Sequence, residues 1–248
     1  MADGLLQISP PTPFEEQGFI VRPRLFAFDE IAWVRDEARI VALRRGQAGR
    51  APAGQAWTAE APAGTVYGAH LNEATFRKLA AHPRLIAVAR DLLGEDVYVH
   101  QSRLISRFEE ASTDIAWRRD FATWSATDGM ATPRAVTAAI VLGESGPQTP
   151  IMYVAPGSHG GKDISGGGAA VAVTAPLGSV VFYRADLAYA FNQFADRRSS
   201  PLFLVSYSAA SNLPVRFARD EIYAARRAAA PIVEADDCMW PASWCAAG

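Results

Sequence analysis

Apolar residues in the first ninety positions recur at the period of a helix. Between Phe28 and Arg45, Ile31, Val34, Ala38 and Val41 fall on one helical face, with Asp29 as the expected N-cap and Gly46 as the stop. The stretch "QAGRAPAGQAWTAEAPAG", residues 47–64, has no period and reads as a loop near a ligand entrance. Asn72 is expected to open a helix in "NEATFRKLAAH". Pro83 stands in the first turn of "PRLIAVARDLL", which Gly94 ends. Beyond Gly94 the period becomes two. "VYVHQSRLISRF", "RAVTAAIVL", "PIMYVA", "AVAVTA", "SVVFYRA", "AYAFNQF" and "PLFLVSYS" are short, β-branched or aromatic, and separated by Gly/Pro turns. Strands that follow one another without helices between them predict a mainly β sandwich or barrel. From about Arg219, "RDEIYAARRAAA" returns to a helical pattern. The expected organisation is one domain: a mostly helical part over 1–94 packed on a β core over 95–212, then an extension over 213–248.

Composition narrows the class of protein. The 248 residues are 50% hydrophobic and 20% charged, with a net charge of −2. That balance suits one globular core and gives no footprint for nucleic acid or an anionic membrane as partner. "MADGLLQISPPTPF" lacks a basic region followed by a long apolar run, so no signal peptide is expected, and no stretch approaches the length of a membrane span. Cys238 and Cys245 read as two spare thiols of a cytoplasmic protein, with a redox pair or half of a metal site as the alternative.

Five segments carry more than patterning. "DVYVHQSRLI", "AWRRDFATWSATDGM", "PRAVTAAIVL", "IMYVAPGSH" and "GSVVFY" together resemble the ectoine hydroxylase-like members of the phytanoyl-CoA dioxygenase superfamily, from about Leu85 to Asn212. The resemblance implies a double-stranded β-helix (jelly-roll) core, a small-molecule substrate, and Fe(II) with 2-oxoglutarate as the family's cofactors. Iron in that family sits on His-x-Asp plus a distant His, with positions left open for co-substrate and oxygen. Carried over, the first His falls on Arg118, the Asp on Asp120 and the distal His on Tyr189. With two of three ligands substituted, the expectation from sequence is a protein without metal or cofactor.

The resemblance also marks Gln101 and Arg103 on a pocket-lining strand and Trp124 as an aromatic beside the site. It places the carboxylate-anchoring arginine near Arg197 or Arg198, and Arg198 is taken as substrate-binding. Arg118, Asp120 and Tyr189 become the candidate catalytic residues. In an extended segment Arg118 and Asp120 share a face, so a buried Arg118–Asp120 ion pair is expected, serving either as a structural replacement for a metal or as an anion site. Arg119 is then turned outward. Tyr189 reads as a general acid, an oxyanion donor or a core aromatic.

Other residues are set aside. His70 and His82 look like surface or boundary positions, His159 belongs to a turn, and His100 alternates away from Gln101 and Arg103. Asp186 is a spare carboxylate. "PGSHGGKD" lacks the register of a phosphate loop, with Pro156 and Asp163 at its key positions. Three functions remain in view. The leading one is non-redox chemistry on an anionic or zwitterionic, carboxylate-bearing metabolite. The alternatives are a binding protein or pseudo-enzyme subunit, as a homodimer or paired with an intact paralogue, and an Fe(II)/2-oxoglutarate hydroxylase with rewired ligands.

Overall fold

The structure, a computed structural model, describes residues 14–47, 65–106, 117–143, 145–146, 150–161, 170–191 and 201–215. Its first part holds α1 (Phe14–Gln17), β1 (Phe19–Arg22), α2 (Phe28–Gln47), β2 (Thr65–Tyr67), α3 (Ala69–Asn72), α4 (Ala74–Ala80) and α5 (Pro83–Leu93). The remainder holds β3 (Val97–Ile105), α6 (Asp120–Asp128), β4 (Ala135–Val141), β5 (Met152–Val154), β6 (Val171–Val173), β7 (Val180–Arg184), β8 (Tyr189–Phe191) and β9 (Leu202–Ala209). All seven period-two runs form strands. The readings of residues 48–64, of the segment from Arg219, and of Cys238 and Cys245 lie outside the described residues.

The helices form where the pattern places them, but two start signals differ. The Ile31 N–H donates to the Ala27 carbonyl at 3.1 Å, so α2 is capped at Ala27 rather than Asp29. Glu30 reaches back and accepts the Ala27 N–H at 2.6 Å, half of a capping box. Asn72 closes α3 instead of opening a helix, and Glu73 precedes α4. At α5 the pattern is kept: Pro83 is in the first turn and Gly94 ends the helix at φ 73°.

His82 caps α5 by accepting the Arg84 N–H on Nδ1 at 3.2 Å. Burial first, and then the Arg84 charge, lower its pKa from 6.5 to about 4, against a smaller opposing effect of Glu30. The folded value lies below the unfolded one, so the unfolded chain takes up the proton first. Stability is therefore expected to be lost as pH falls from about 6.5 through about 4. His82→Asn keeps a capping side chain and removes the titration. Urea midpoints at pH 7 and pH 4.5 should differ less in that variant than in the parent; equal differences would remove His82 as a cause.

Six antiparallel strands form the large sheet in the order β1-β7-β4-β9-β3-β2, and three form the small one, β6-β5-β8. This is the jelly-roll arrangement. β4 is buried along its whole length, and its alternation divides two cores. Val136, Ala138 and Ile140 pack with the helices, alongside Phe182, Phe203 and Val205. Ala139 and Val141 face the small sheet, alongside Val181, Tyr183, Leu202 and Leu204. The first 94 residues are less purely helical than expected, because β1 and β2 supply the outer strands of the large sheet.

One turn joins helix to sheet at close range. Gly178 has φ +81°, its carbonyl accepts the Phe26 N–H at 3.0 Å, and its own N–H donates to Val141 at 3.0 Å. No helix among the described residues is long and apolar enough to cross a membrane.

Candidate functional site

The site is built between β3 and α6. Helical residues four apart are separated by about 6 Å along the axis, and strand residues two apart by about 6.6 Å. The two repeats nearly match, so side chains pair as rungs. Arg103 Nη2 donates to Asp120 Oδ1 at 3.0 Å. Two strand residues away and one helical turn on, Trp124 Nε1 donates to Gln101 Oε1 at 3.2 Å. One turn further, His100 Nε2 meets Asp128 Oδ2 at 3.1 Å.

The third rung exists because β3 carries a β-bulge. Val99 pairs with Tyr207 and Gln101 with Ser206, leaving His100 as the extra residue. The bulge resets the alternation, so His100 and Gln101 both turn toward α6. This corrects the expectation that His100 faces away. His100 is 3% exposed and packs edge-on against Trp124 with ring centroids 4.6 Å apart.

Asp120 is the centre of the polar cluster. Besides Arg103, its carboxylate accepts from Tyr189 at 2.6 Å, Thr137 at 3.2 Å and Tyr183 at 3.5 Å. Arg103 Nη2 also donates to the Tyr189 hydroxyl at 3.2 Å. All five side chains are buried. Asp120 therefore serves as an acceptor only, the hydrogen-bonding role of an ionised carboxylate. Burial, reinforced by Asp120 and opposed by Arg103, holds the Tyr189 phenol well above its ordinary range, so it keeps its proton. Burial likewise raises Tyr183. For Arg103 burial works against the charge, but Asp120 and the two tyrosines outweigh it, and the guanidinium stays cationic.

The expected Arg118–Asp120 pair is not the one that forms. Arg118 is exposed, and it contributes through its main chain: its N–H donates to the Tyr189 carbonyl at 2.8 Å and its carbonyl accepts the Tyr189 N–H at 3.0 Å. The chain leaves extended geometry at Asp120, where α6 begins, so period-two alternation does not carry from 118 to 120. Arg103 takes the carboxylate from across the fold. Arg119 is also not idle, since it donates to the Asp186 carbonyl at 3.1 Å and the Ser158 carbonyl at 3.2 Å, tying two loops to α6. Asp186 accepts from Arg184 and from the Gly160 N–H, a loop-fixing role. Arg197 and Arg198 lie outside the described residues.

Thr137, Tyr183, His100 and Asp128 were not legible as site residues. The first two sit in runs that read as core, and a bulge has no sequence signal of its own. The "TDGM" segment does mark a helix end at Gly129, which places Asp128 in the last turn of α6.

Comparison with known proteins fits this architecture. The model of the phytanoyl-CoA dioxygenase (PhyH) family matches residues 14–190. An ectoine dioxygenase of Stutzerimonas stutzeri is 35% identical over 150 residues, which is 59% of this chain and 48% of the relative. The chain spans about half the length of the curated relatives it matches. The structure of EctD from S. alaskensis with 2-oxoglutarate and 5-hydroxyectoine superposes with a TM-score of 0.69 at 28% identity, covering 82% of this chain and 77% of that one. The same enzyme with bound Fe gives a TM-score of 0.68 at 27% identity, covering 82% and 76%.

These relatives overturn the expectation of a protein without cofactors, because iron and 2-oxoglutarate occupy structures of the same fold at clear sequence identity. The side chains described here do not by themselves fit the metal. No three His, Cys, Asp or Glu residues come together as ligands among the described residues, and Asp120 is surrounded by an arginine and three hydroxyls.

Proposed function

This chain belongs to the phytanoyl-CoA dioxygenase family, and from that premise we propose that it is an enzyme acting on a small carboxylate-bearing, anionic or zwitterionic metabolite by proton transfer at Asp120 and Tyr189. The observation that carries the reading is the 2.6 Å contact between a buried carboxylate and a phenol that keeps its proton. Asp120 takes a proton from a carbon or nitrogen acid, and as its charge is neutralised the single O–H that Tyr189 had donated to it is released to the oxyanion that forms.

Binding groups lie alongside. Among the described residues Arg103 uses only Nη2, which leaves the Nε and Nη1 donors for a ligand carboxylate. Gln101 commits its carbonyl oxygen to Trp124, so its amide N–H groups are free to face an acceptor on the ligand. Arg118 is left without a chemical step; its backbone pairing fixes Tyr189.

A second reading is favoured by the relatives with bound Fe and 2-oxoglutarate: an Fe(II)/2-oxoglutarate hydroxylase with rewired ligands. One experiment separates the two. The protein is incubated with small zwitterionic carboxylates, ectoine among them, in deuterated buffer, with and without Fe(II) and 2-oxoglutarate. Deuterium entering the metabolite without oxygen uptake, and lost in Tyr189→Phe, is the expected result. Oxygen uptake with succinate release would establish the oxygenase instead. Binding with neither reaction would make the chain a binding protein.

A further inference from the structure

The third rung has no part in the proton transfer, yet both of its side chains are buried. We infer that His100, held by Asp128, is a positioning residue that sets the indole of Trp124 and through it the orientation of the Gln101 amide. A carboxylate that accepts can only receive a proton-bearing nitrogen, so the 3.1 Å contact fixes Nε2 of His100 as the donor. The imidazole plane is thereby set, and Trp124 meets it at an interplanar angle of 66°. Asp128 is itself held, with the Thr127 hydroxyl 2.9 Å from its other oxygen.

The consequence lies at Gln101. A glutamine amide can present oxygen or nitrogen to a ligand, and rotation about its last torsion exchanges them. With the indole fixed, its N–H reaches Oε1 and turns the NH₂ group away from Trp124. The Gln101 amide is then set to recognise acceptors such as a carboxylate or carbonyl oxygen, and to refuse donors. This last step rests on the proposed binding role of Gln101; the positioning itself does not.

The test is therefore made on the free protein. The Trp124 indole N–H is assigned in ¹⁵N spectra by its disappearance in Trp124→Phe, and its exchange with deuterated solvent is timed. In His100→Ala and Asp128→Ala exchange should be at least about fivefold faster, the loss expected when one buried hydrogen bond is no longer held. Backbone amides of β4 and β9 should keep their rates, and His100→Gln, whose amide still donates to Asp128, should restore much of the indole protection. Should either alanine variant fail to fold, the near-isosteric Asp128→Asn replaces it, with a smaller acceleration expected. Unchanged indole exchange in folded variants would overturn the inference, and so would equal acceleration of the β4 and β9 amides, which would reduce the rung to packing. A failure of the proposed chemistry leaves these measurements unaffected.

Discussion

Replacing Arg103 with alanine should destabilise the fold by roughly 3–5 kcal/mol, the range for breaking a buried ion pair from one side. Asp120 would stay buried with its charge and lose its only cationic partner among the described residues. Three hydroxyl donors remain, from Tyr189, Thr137 and Tyr183, so the loss should fall toward the lower end of that range. Removing the carboxylate as well, in Arg103→Ala with Asp120→Ala, should cost less than the sum of the two single changes, because the stranded charge is gone. Arg118→Ala is the control. Its side chain is exposed and its main-chain bridge to Tyr189 survives, so the change should stay within about 0.5 kcal/mol. Urea denaturation of the parent and of the four variants, Arg103→Ala, Asp120→Ala, the double change and Arg118→Ala, decides it. If Arg118→Ala costs more than Arg103→Ala, the assignment of the Asp120 partner is wrong.

Gly178→Ala should be worse than an ordinary turn substitution. At φ +81° a side chain meets its own carbonyl, a cost of roughly 1–2 kcal/mol. The added methyl would also drive into the backbone oxygen of Phe26, with the Phe26 carbonyl carbon 3.2 Å away. Backbone cannot rotate aside as a side chain can. Hydrogen bonds on both sides of Gly178, to Phe26 and to Val141, hold the turn in place. The total should exceed about 3 kcal/mol, in the range reserved for strain that cannot relax. Gly94→Ala separates the two causes: its φ is +73°, but nothing lies within 4 Å of the new methyl. It should cost only about 1 kcal/mol, the backbone contribution alone. Similar melting temperatures for the two variants would mean that the approach of α2 to the sheet is not rigid.

The β core was legible because its seven runs follow closely on one another with Gly/Pro turns between them, a density that identifies even strands of three residues such as β5, β6 and β8. β1 and β2 were not, since each is short and stands alone within a helical stretch, although both belong to the large sheet. The site was half legible. Gln101 and Arg103 share a face by strand periodicity alone, whereas Asp120 and Trp124 come from the family resemblance, since the helix that sets them one turn apart begins where extended chain is expected. Which cation answers Asp120 is a tertiary choice: Arg103 is 17 positions distant, and the nearer Arg118 is turned away because a helix starts at Asp120. No local pattern encodes that choice. The bulge at His100 is equally silent, since the residue that bears it reads as one more member of an alternating run.

That bulge gives β3 an unusual tolerance to change in length. Losing one residue from the middle of a central strand normally reverses every side chain beyond it. Here the ladder already pairs Val99 with Tyr207 and Gln101 with Ser206, with His100 outside the count. A chain shorter by that one residue would pair continuously, with Val99 still toward the helices and Gln101 and Arg103 still toward α6. Descent within such a fold could therefore gain or lose the His100–Asp128 contact through a single codon, without disturbing the carboxylate and its arginine.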